Sequence, residues 1–439
     1  MRYPSAEPAD LPENESAVVL HRYRWQVVGM LWAISFFNYA DRQAIFSVFP
    51  LLQKSLHLSS TQLGLLGSSF ALVYGTCSSF AGLVVDRVRR KTAILGGLTV
   101  WSLICMATGM FSNFRALVLL RGAEGLGETF YYPASMSLIS DYHGTATRSR
   151  AIGLHQTSVY IGTIAGGFFA GLIGQYYGWR WSFFVFGGLG IVLALVLKHK
   201  LREPRRGAAE LASINPVEAS QPFPIAHSIR IIWSSPTAIT LMAAFLCSNF
   251  VAAVLYSWMP TFIYQRFHMT LALSGLTATV FVQLASMLGS ISGGWLADRF
   301  RAQRIGGRML VQAIGVFGGA PFVALCGMTR SVLWLIVALT IWGFFKGLYD
   351  ANIFASLFDV IDPEARGTAA GFMNTVGWLG GGATAPLIIG VISVRHSLGD
   401  GIALASLVYL SAGILLLLAA LVLAPRDAFS KTKHEALRP

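Results

Sequence analysis

Apolar residues in this chain come in long runs rather than alternating or in a narrow helical stripe. Twelve runs can be marked, near 25–53, 61–85, 92–112, 115–140, 148–174, 181–198, 235–265, 273–298, 308–328, 331–358, 368–394 and 401–424. Each is close to or longer than the roughly 20 mostly apolar residues that a bilayer-spanning helix needs. The pattern predicts an all-α polytopic membrane protein of twelve transmembrane helices, and almost nothing remains for a soluble domain. Composition agrees: 54% of the 439 residues are hydrophobic and 12% charged, about half the charged fraction usual in soluble domains. Polar and partly acidic residues precede the first run, which carries charges and has no small-residue cleavage site after it, so it reads as a retained helix, not a signal peptide.

The net charge of +13 invites a nucleic-acid reading until the positions are examined. With the N-terminus in the cytoplasm, six of the 33 Lys and Arg fall outside (Lys54, Arg115, Arg180, Arg266, Arg330, Arg395) and three within spans (Arg42, Arg121, Lys346). All the rest lie on the cytoplasmic side. This asymmetry predicts that both termini are cytoplasmic, and it makes membrane lipid, not nucleic acid, the partner of the basic surface. The four cysteines, Cys77, Cys105, Cys247 and Cys326, fall in spans, form no C-x-x-C pair, and read as small apolar packing residues.

The longest polar stretch, 198–227, reads as a cytoplasmic linker between a unit at 1–197 and one at 228–439. The two units repeat each other. Gly82-Leu-Val-Val-Asp86-Arg87-Val-Arg89-Arg90-Lys91 is echoed 212 residues later by Gly294-Trp-Leu-Ala-Asp298-Arg299-Phe-Arg301, and Arg148-Ser-Arg-Ala-Ile-Gly153 is echoed 218 residues later by Arg366-Gly-Thr-Ala-Ala-Gly371. Two echoes at nearly one offset predict two pseudo-symmetric six-helix bundles.

The segment Gly82–Lys91 resembles the signature loop of the major facilitator family, and Gly294–Arg301 its degenerate second copy; the resemblance covers essentially the whole chain and implies the major facilitator fold. Gly82, Asp86, Arg87, Arg90, Asp298 and Arg299 are then gating residues: glycine allows close helix approach, while aspartate and arginine pair at helix ends and hold one conformation shut. Three further segments narrow the resemblance. Asn38-Tyr39-Ala-Asp41-Arg42, Arg121-Gly-Ala-Glu124-Gly125-Leu-Gly127-Glu128 and Gly178-Trp179-Arg180-Trp181-Ser-Phe183 together resemble the anion:cation symporters, which carry sugar acids, hexuronates, phosphate or other organic anions with protons or sodium. The first two are also similar to spinster-type transporters, which carry lysolipids and sphingolipids.

Seven ionisable residues lie inside the predicted spans: Asp41, Arg42, Arg121, Glu124, Glu128, Lys346 and Asp350. Each would cost about 2.5 to 3.5 kcal/mol at the centre of a lone inserted helix, so each must face protein or a water-filled cavity. Arg121, Glu124 and Glu128 project within about 60° of one another on a helix, and Lys346 and Asp350 form an i, i+4 pair. Ion pairs that merely hold helices together are the alternative, weightiest for Glu124, Lys346 and Asp350; Asp41, Arg42 and Glu128 match functional motif positions of the resembled families. A guanidinium keeps its proton and offers a planar fork to a carboxylate, which makes Arg42 the candidate grip for an anionic solute. Asp41 and Glu128 are the candidate proton sites, with Arg121 the tuning partner of one of them and Glu124 beside it. With all seven ionised the group carries a net −1; two protons make it +1 and attractive to a monoanion.

Lesser candidates are polar. Tyr39, Tyr74, Gln156 and Asn374 each resemble a ligand position in the anion symporters, the last two being related by the 218-residue offset; Lys346 and Asp350 complete the expected solute-binding set, and any one tyrosine or amide can equally serve as an interhelical hydrogen bond. His155 reads as hydrogen-bonded, with a proton relay the other possibility. The glycines at 162, 166, 167 and 171, and at 377, 380, 381 and 382, read as close-packing positions. The run 273–298 carries no mid-span arginine, unlike the monocarboxylate transporters.

The leading expectation is therefore a proton-coupled symporter of a small organic anion working by alternating access, in a cell membrane, with a bacterial inner membrane expected. The runner-up is a spinster-like lipid carrier, whose cavity should be mostly apolar, open sideways to lipid and sparing in polar groups in its second half. An intramembrane enzyme would call for H-E-x-x-H, G-x-S-x-G or a pair of aspartates in a Gly-Asp context, and the sequence carries none of these. No cofactor and no metal is expected, and a monomer suffices because one chain holds both halves.

Overall fold

The computed structural model describes residues 13–85, 87–204, 225–362 and 365–427. The described residues are nearly all helical. In the first half the helices are α1 (Glu13–Ser47), α2 (Phe49–Leu56), α3 (Ser60–Val85), α4 (Arg90–Thr108), α5 (Phe114–Thr129), α6 (Tyr131–Tyr142), α7 (Thr145–Tyr177) and α8 (Trp179–Lys200). The short α9 (Ile225–Ser234) leads into α10 (Pro236–Phe267), α11 (Leu271–Gln303), α12 (Gly307–Met328), α13 (Val332–Asp350), α14 (Ile353–Val360), α15 (Arg366–Val376), a π-helical segment Gly377–Gly382, α16 (Thr384–Arg395) and α17 (Leu398–Leu418).

Among the described residues nine helices are long and apolar enough to cross a membrane. The other three predicted runs are also helical, as α1 with α2, as α3, and as α5 with α6; the first and last of these carry Asp41, Arg42, Arg121, Glu124 and Glu128. Several runs are interrupted for identifiable reasons. Pro50 and Pro133 lack the N–H that would bond four residues back, and the chain bends just before each. Between α13 and α14 the Asn352 amide donates to Leu348 O (3.0 Å), a carbonyl that the break exposes, and to Gly293 O on α11 (3.1 Å), which ties the break to that helix. Both α5/α6 and α13/α14 thus break shortly after their charged residues.

The same pairing occurs among the helices up to Lys200 and among those from Ile225 onward: α1 lies along α7 as α10 lies along Gly377–Gly382 and α16; α3 packs on α5 as α11 packs on α13; α4 packs on α8 as α12 packs on α17. Glycine permits the tightest of these. A β-carbon at Gly162 on α7 would lie 2.5 Å from Phe36 O of α1, and Gly166 sits equally close on Ala40. The halves meet through α7 with α11, α3 with α16, and α1 with α10. At the first of these Gly167 and Gly275 face each other so closely that a β-carbon at Gly167 would stand 2.7 Å from Gly275 O. Large apolar side chains such as Leu119, Ile291 and Met110 stay largely exposed, as a surface in lipid requires and one in water does not tolerate at this density.

Candidate functional site

A cavity of about 570 Å³ lies between the halves, walled by α1, α3, α5 and α7 on one side and by α10, α11, α13, α17 and Gly377–Gly382 on the other. Its polar wall is built from the charges that the sequence places inside spans. On α1, Arg42 reaches across to α5, where its Nη2 lies 2.6 Å and its Nε 3.2 Å from Glu128 Oε2; Nη2 also donates to Asn38 Oδ1 one turn back (3.3 Å). The arginine side chain is 12% exposed and the glutamate 0%, so Arg42 presents a face to the cavity and Glu128 stands behind it.

Four aromatic rings cover that guanidinium. Its central carbon lies 4.7 Å from the Tyr39 ring centroid, 4.8 Å from Phe70, 4.9 Å from Tyr74 and 5.4 Å from Trp378. Each such contact is worth on the order of 0.5–2 kcal/mol, the larger value where water is excluded. Behind Arg42, Arg121 donates to Glu124 Oε2 (2.6 Å) and to the carbonyl of Arg42 itself (2.9 Å), with its guanidinium 4.7 Å from the same Phe70 ring. The ion pairs sort the four charges: the i, i+3 geometry on α5 gives Arg121 to Glu124, and Arg42 takes Glu128. Asp41 is buried, and neither of its carboxylate oxygens accepts a hydrogen bond among the described residues; the same holds for Glu128 Oε1.

The second half supplies its own charges. Lys346 and Asp350 form the i, i+4 ion pair on α13, and Lys346 lies 5.8 Å from the Tyr256 ring. Lys346 stands 218 residues after Glu128, the offset that relates the two halves, so the repeat has a carboxylate at this position in one copy and an ammonium in the other. Gln43 of α1 crosses between the halves to donate to Tyr256 O (3.0 Å).

Of the expected solute-binding residues, Tyr39, Arg42, Gln156, Lys346 and Asp350 line the cavity. Tyr74 is set back behind it, edge-on to Trp378 at 4.9 Å. Asn374, half-buried on α15, is not part of the lining. His155 sits 2.9 Å from the Tyr131 hydroxyl, which itself donates to Leu31 O (2.6 Å). The tyrosine proton is thus committed and His155 donates from Nε2, an interhelical hydrogen bond away from the cavity. Charge does not single out Phe70, Trp378 or Tyr256, because an aromatic residue in an apolar run has the same signature as a packing residue, and only the cation against its face distinguishes it.

The expected gating residues occupy the ends of α3, α4 and α11. Asp86 lies outside the described residues. Gly82 belongs to the last turn of α3, and Arg87 is exposed beyond it. Arg90 forms an ion pair with Asp141 at the end of α6, and its backbone N–H donates to Glu203 Oε1 (2.7 Å). In the second half Arg308 binds Asp359 and Asp298, each at 3.0 Å, while Arg299 lies over its neighbour Trp295. Arg308 and Asp359 each stand 218 residues after Arg90 and Asp141. The repeat therefore extends to an ion pair that the sequence echoes did not include.

Comparison with known proteins places these features in a family. The chain is 27% identical over 390 residues to protein spinster homolog 1 of Homo sapiens, covering 84% of this chain and 73% of that one. It is 24% identical over 390 residues to the hexuronate transporter of Bacillus subtilis (strain 168), covering 86% and 91%. Among solved structures, a bacterial homolog of the human lysosomal transporter spinster in an inward-facing, unoccupied conformation superposes with a TM-score of 0.78 at 22% identity, over 93% of this chain and 98% of that one. The family model described as Major Facilitator Superfamily matches residues 31–385 and 301–439, and the chain belongs to the Major Facilitator Superfamily of membrane transporters.

Proposed function

We propose that this transporter carries a small organic anion, a hexuronate or similar sugar acid, together with protons. The observation that carries the reading is the pairing of Arg42 with Glu128 at the cavity wall. An anionic solute and Glu128 compete for one guanidinium. Protonation of Glu128 removes its charge and leaves Arg42 without a counter-ion, so a solute carboxylate entering from the cavity can take the place of Glu128 with a charge-assisted, forked hydrogen bond. Proton and anion then travel together because each makes room for the other. Asp41, buried one residue away, is the second proton site, and Arg121 with Glu124 holds the backbone carbonyl of Arg42 and so its helix turn.

The lining favours a hydroxylated solute. Tyr39, Gln156, Asn249, Gln283 and Tyr409 offer donors and acceptors from both halves, and Lys346 provides a second cation opposite Arg42. A spinster-like lipid carrier is the second reading, favoured by the four rings around Arg42; the polar groups of the second half weigh against it. The wider architecture follows the same proposal: twelve membrane helices in two bundles, 1–197 and 228–439, joined by the linker 198–227, with both termini cytoplasmic and one chain acting alone in a bacterial inner membrane. Purified protein in a thermal-shift screen decides the substrate class. A sugar acid that stabilises it more at acidic than at neutral pH supports the reading. Stabilisation by lysolipids and by no organic anion at either pH overturns it.

A further inference from the structure

Three of the rings around Arg42 come from its own half; Trp378 comes from the other. Its centroid is 5.4 Å from the guanidinium carbon and 4.9 Å from the Tyr74 ring, edge to face at 61°. The α3 backbone is pressed against it as well, since a β-carbon at Gly75 would lie 2.8 Å from Trp378 Cβ. Trp378 is thus a point where the second half touches both the charged residue of the cavity and the wall of the first half.

Its helix is wound differently there. Gly377–Gly382 is π-helical, with Ala383 N–H donating to Trp378 O at 2.7 Å across five residues. The repeat-related helix α7 runs as unbroken α-helix through the corresponding residues 159–164. A π segment holds one residue more than the α ladder admits, and such segments recur at functional sites. Reverting it would shift the register by one residue and turn one flank against the other by roughly 100°. A tryptophan on the segment would swing away from Arg42 and Tyr74 in that move.

We propose that Trp378 is a positioning residue that couples Arg42 to the movement of the two halves: with the guanidinium under its indole it holds Gly377–Gly382 against α3, and it lets go when a solute anion draws the guanidinium into the cavity. The physical basis is that the ring face attracts an accessible cation, and that a guanidinium that leaves Glu128 for a solute carboxylate in the cavity also leaves its place against the indole. The release step rests on the reading of Arg42 as the anion site; the contact between Arg42 and Trp378 as a conformational tie does not.

A double-mutant cycle tests that tie without solute or pH change. Spin labels at the exposed Lys198, near the end of α8, and at the exposed Arg426, beyond the end of α17, report the spacing of the halves in the full chain in nanodiscs, in a background with the native cysteines replaced. Arg42→Gln and Trp378→Leu should each change the ratio of the distance populations in the same direction, by about two- to thirty-fold. The double variant should go no further than the larger single change, and Trp378→Phe, which keeps a ring, should stay near the parent. Additive effects, or a phenylalanine variant that behaves like the leucine one, would overturn the proposal. Site-directed fluorinated tryptophans at 378 provide a second measurement that leaves shape unchanged. Because fluorine drains the ring face, the ratio should move progressively with fluorine number, and an unmoved ratio also overturns the proposal.

Discussion

Arg42 Nη2 lies 2.6 Å from Glu128 Oε2, an ion pair between α1 and α5 whose cationic partner faces the cavity and whose anionic partner does not. Lysine at position 42 would keep the charge but could not span two carboxylate oxygens in one plane or lie flat between aromatic rings. Arg42→Lys is expected to insert and fold while solute affinity falls roughly 10- to 100-fold, the loss of a charge-assisted hydrogen bond. Binding by calorimetry decides it, and near-parent affinity would pass the role to Lys346.

Glu128→Gln separates proton coupling from solute binding. Glutamine has the shape of the protonated acid and leaves Arg42 without a full counter-charge, so the solute should still bind. The empty carrier has no proton to release at that position. Counterflow of labelled against unlabelled solute should therefore survive in proteoliposomes, while uptake driven by a pH gradient should be lost. Gradient-driven accumulation at the parent level would leave Glu128 as a structural partner of Arg42 and make Asp41 the principal proton site.

The ion pairs at the helix ends differ in burial, and their variants should differ in stability accordingly. Arg90 and Asp141 have side chains only 9% and 7% exposed, whereas Asp298 is 73% exposed in its pair with Arg308. Removing one partner of a buried pair leaves an uncompensated charge and costs about 3–5 kcal/mol; an exposed pair contributes under about 1 kcal/mol. Asp141→Asn should lower the unfolding midpoint of purified protein by several degrees, and Asp298→Asn should leave it nearly unchanged. Equal shifts would mean that burial does not govern these pairs.

Much of the architecture was legible because long apolar runs and charge asymmetry are properties of the chain itself. The runs located every membrane-capable helix that the structure describes. The echo at Arg148 and Arg366 carries the right offset for Arg90–Asp141 and Arg308–Asp359, although only their distances mark these residues as pairs. Charges within apolar runs pointed to Arg42, Glu128 and Lys346 because burial makes them costly wherever they lie. Partner choice was not legible. Arg121 could be assigned to Glu124 or to Glu128 by spacing alone, and only the approach of α1 to α5 gives Glu128 to Arg42. Aromatic contributions stayed hidden for the same reason: nothing in the text around Trp378 marks it off from a packing residue, and the glycines beside it suggested close packing, which Gly381 against Leu246 O does show, but not a π turn.

The remaining test concerns how the halves close. Gly167 on α7 and Gly275 on α11 meet where the two halves touch, and a side chain on either would run into the other's carbonyl. This contact belongs to one arrangement of the halves; an arrangement in which α7 and α11 part at that end has room for a side chain. A substitution here should therefore act on the balance of conformations more than on folding. Gly275→Ala should slow transport and Gly275→Leu should slow it further, by at least about tenfold if the clash shifts the equilibrium by roughly 1.4 kcal/mol or more. Both proteins should still reach the membrane, and labels on the α7 and α11 ends beside the contact should report a longer mean distance than in the parent. Gly371, with nothing within 4 Å of an added β-carbon, is the control: Gly371→Ala should leave rate and distance unchanged. If Gly275→Leu transports at the parent rate with an unchanged distance, then α7 and α11 do not need this contact to close. If instead it fails to accumulate in the membrane while Gly275→Ala is normal in rate, the contact serves assembly of the fold and not the transport cycle.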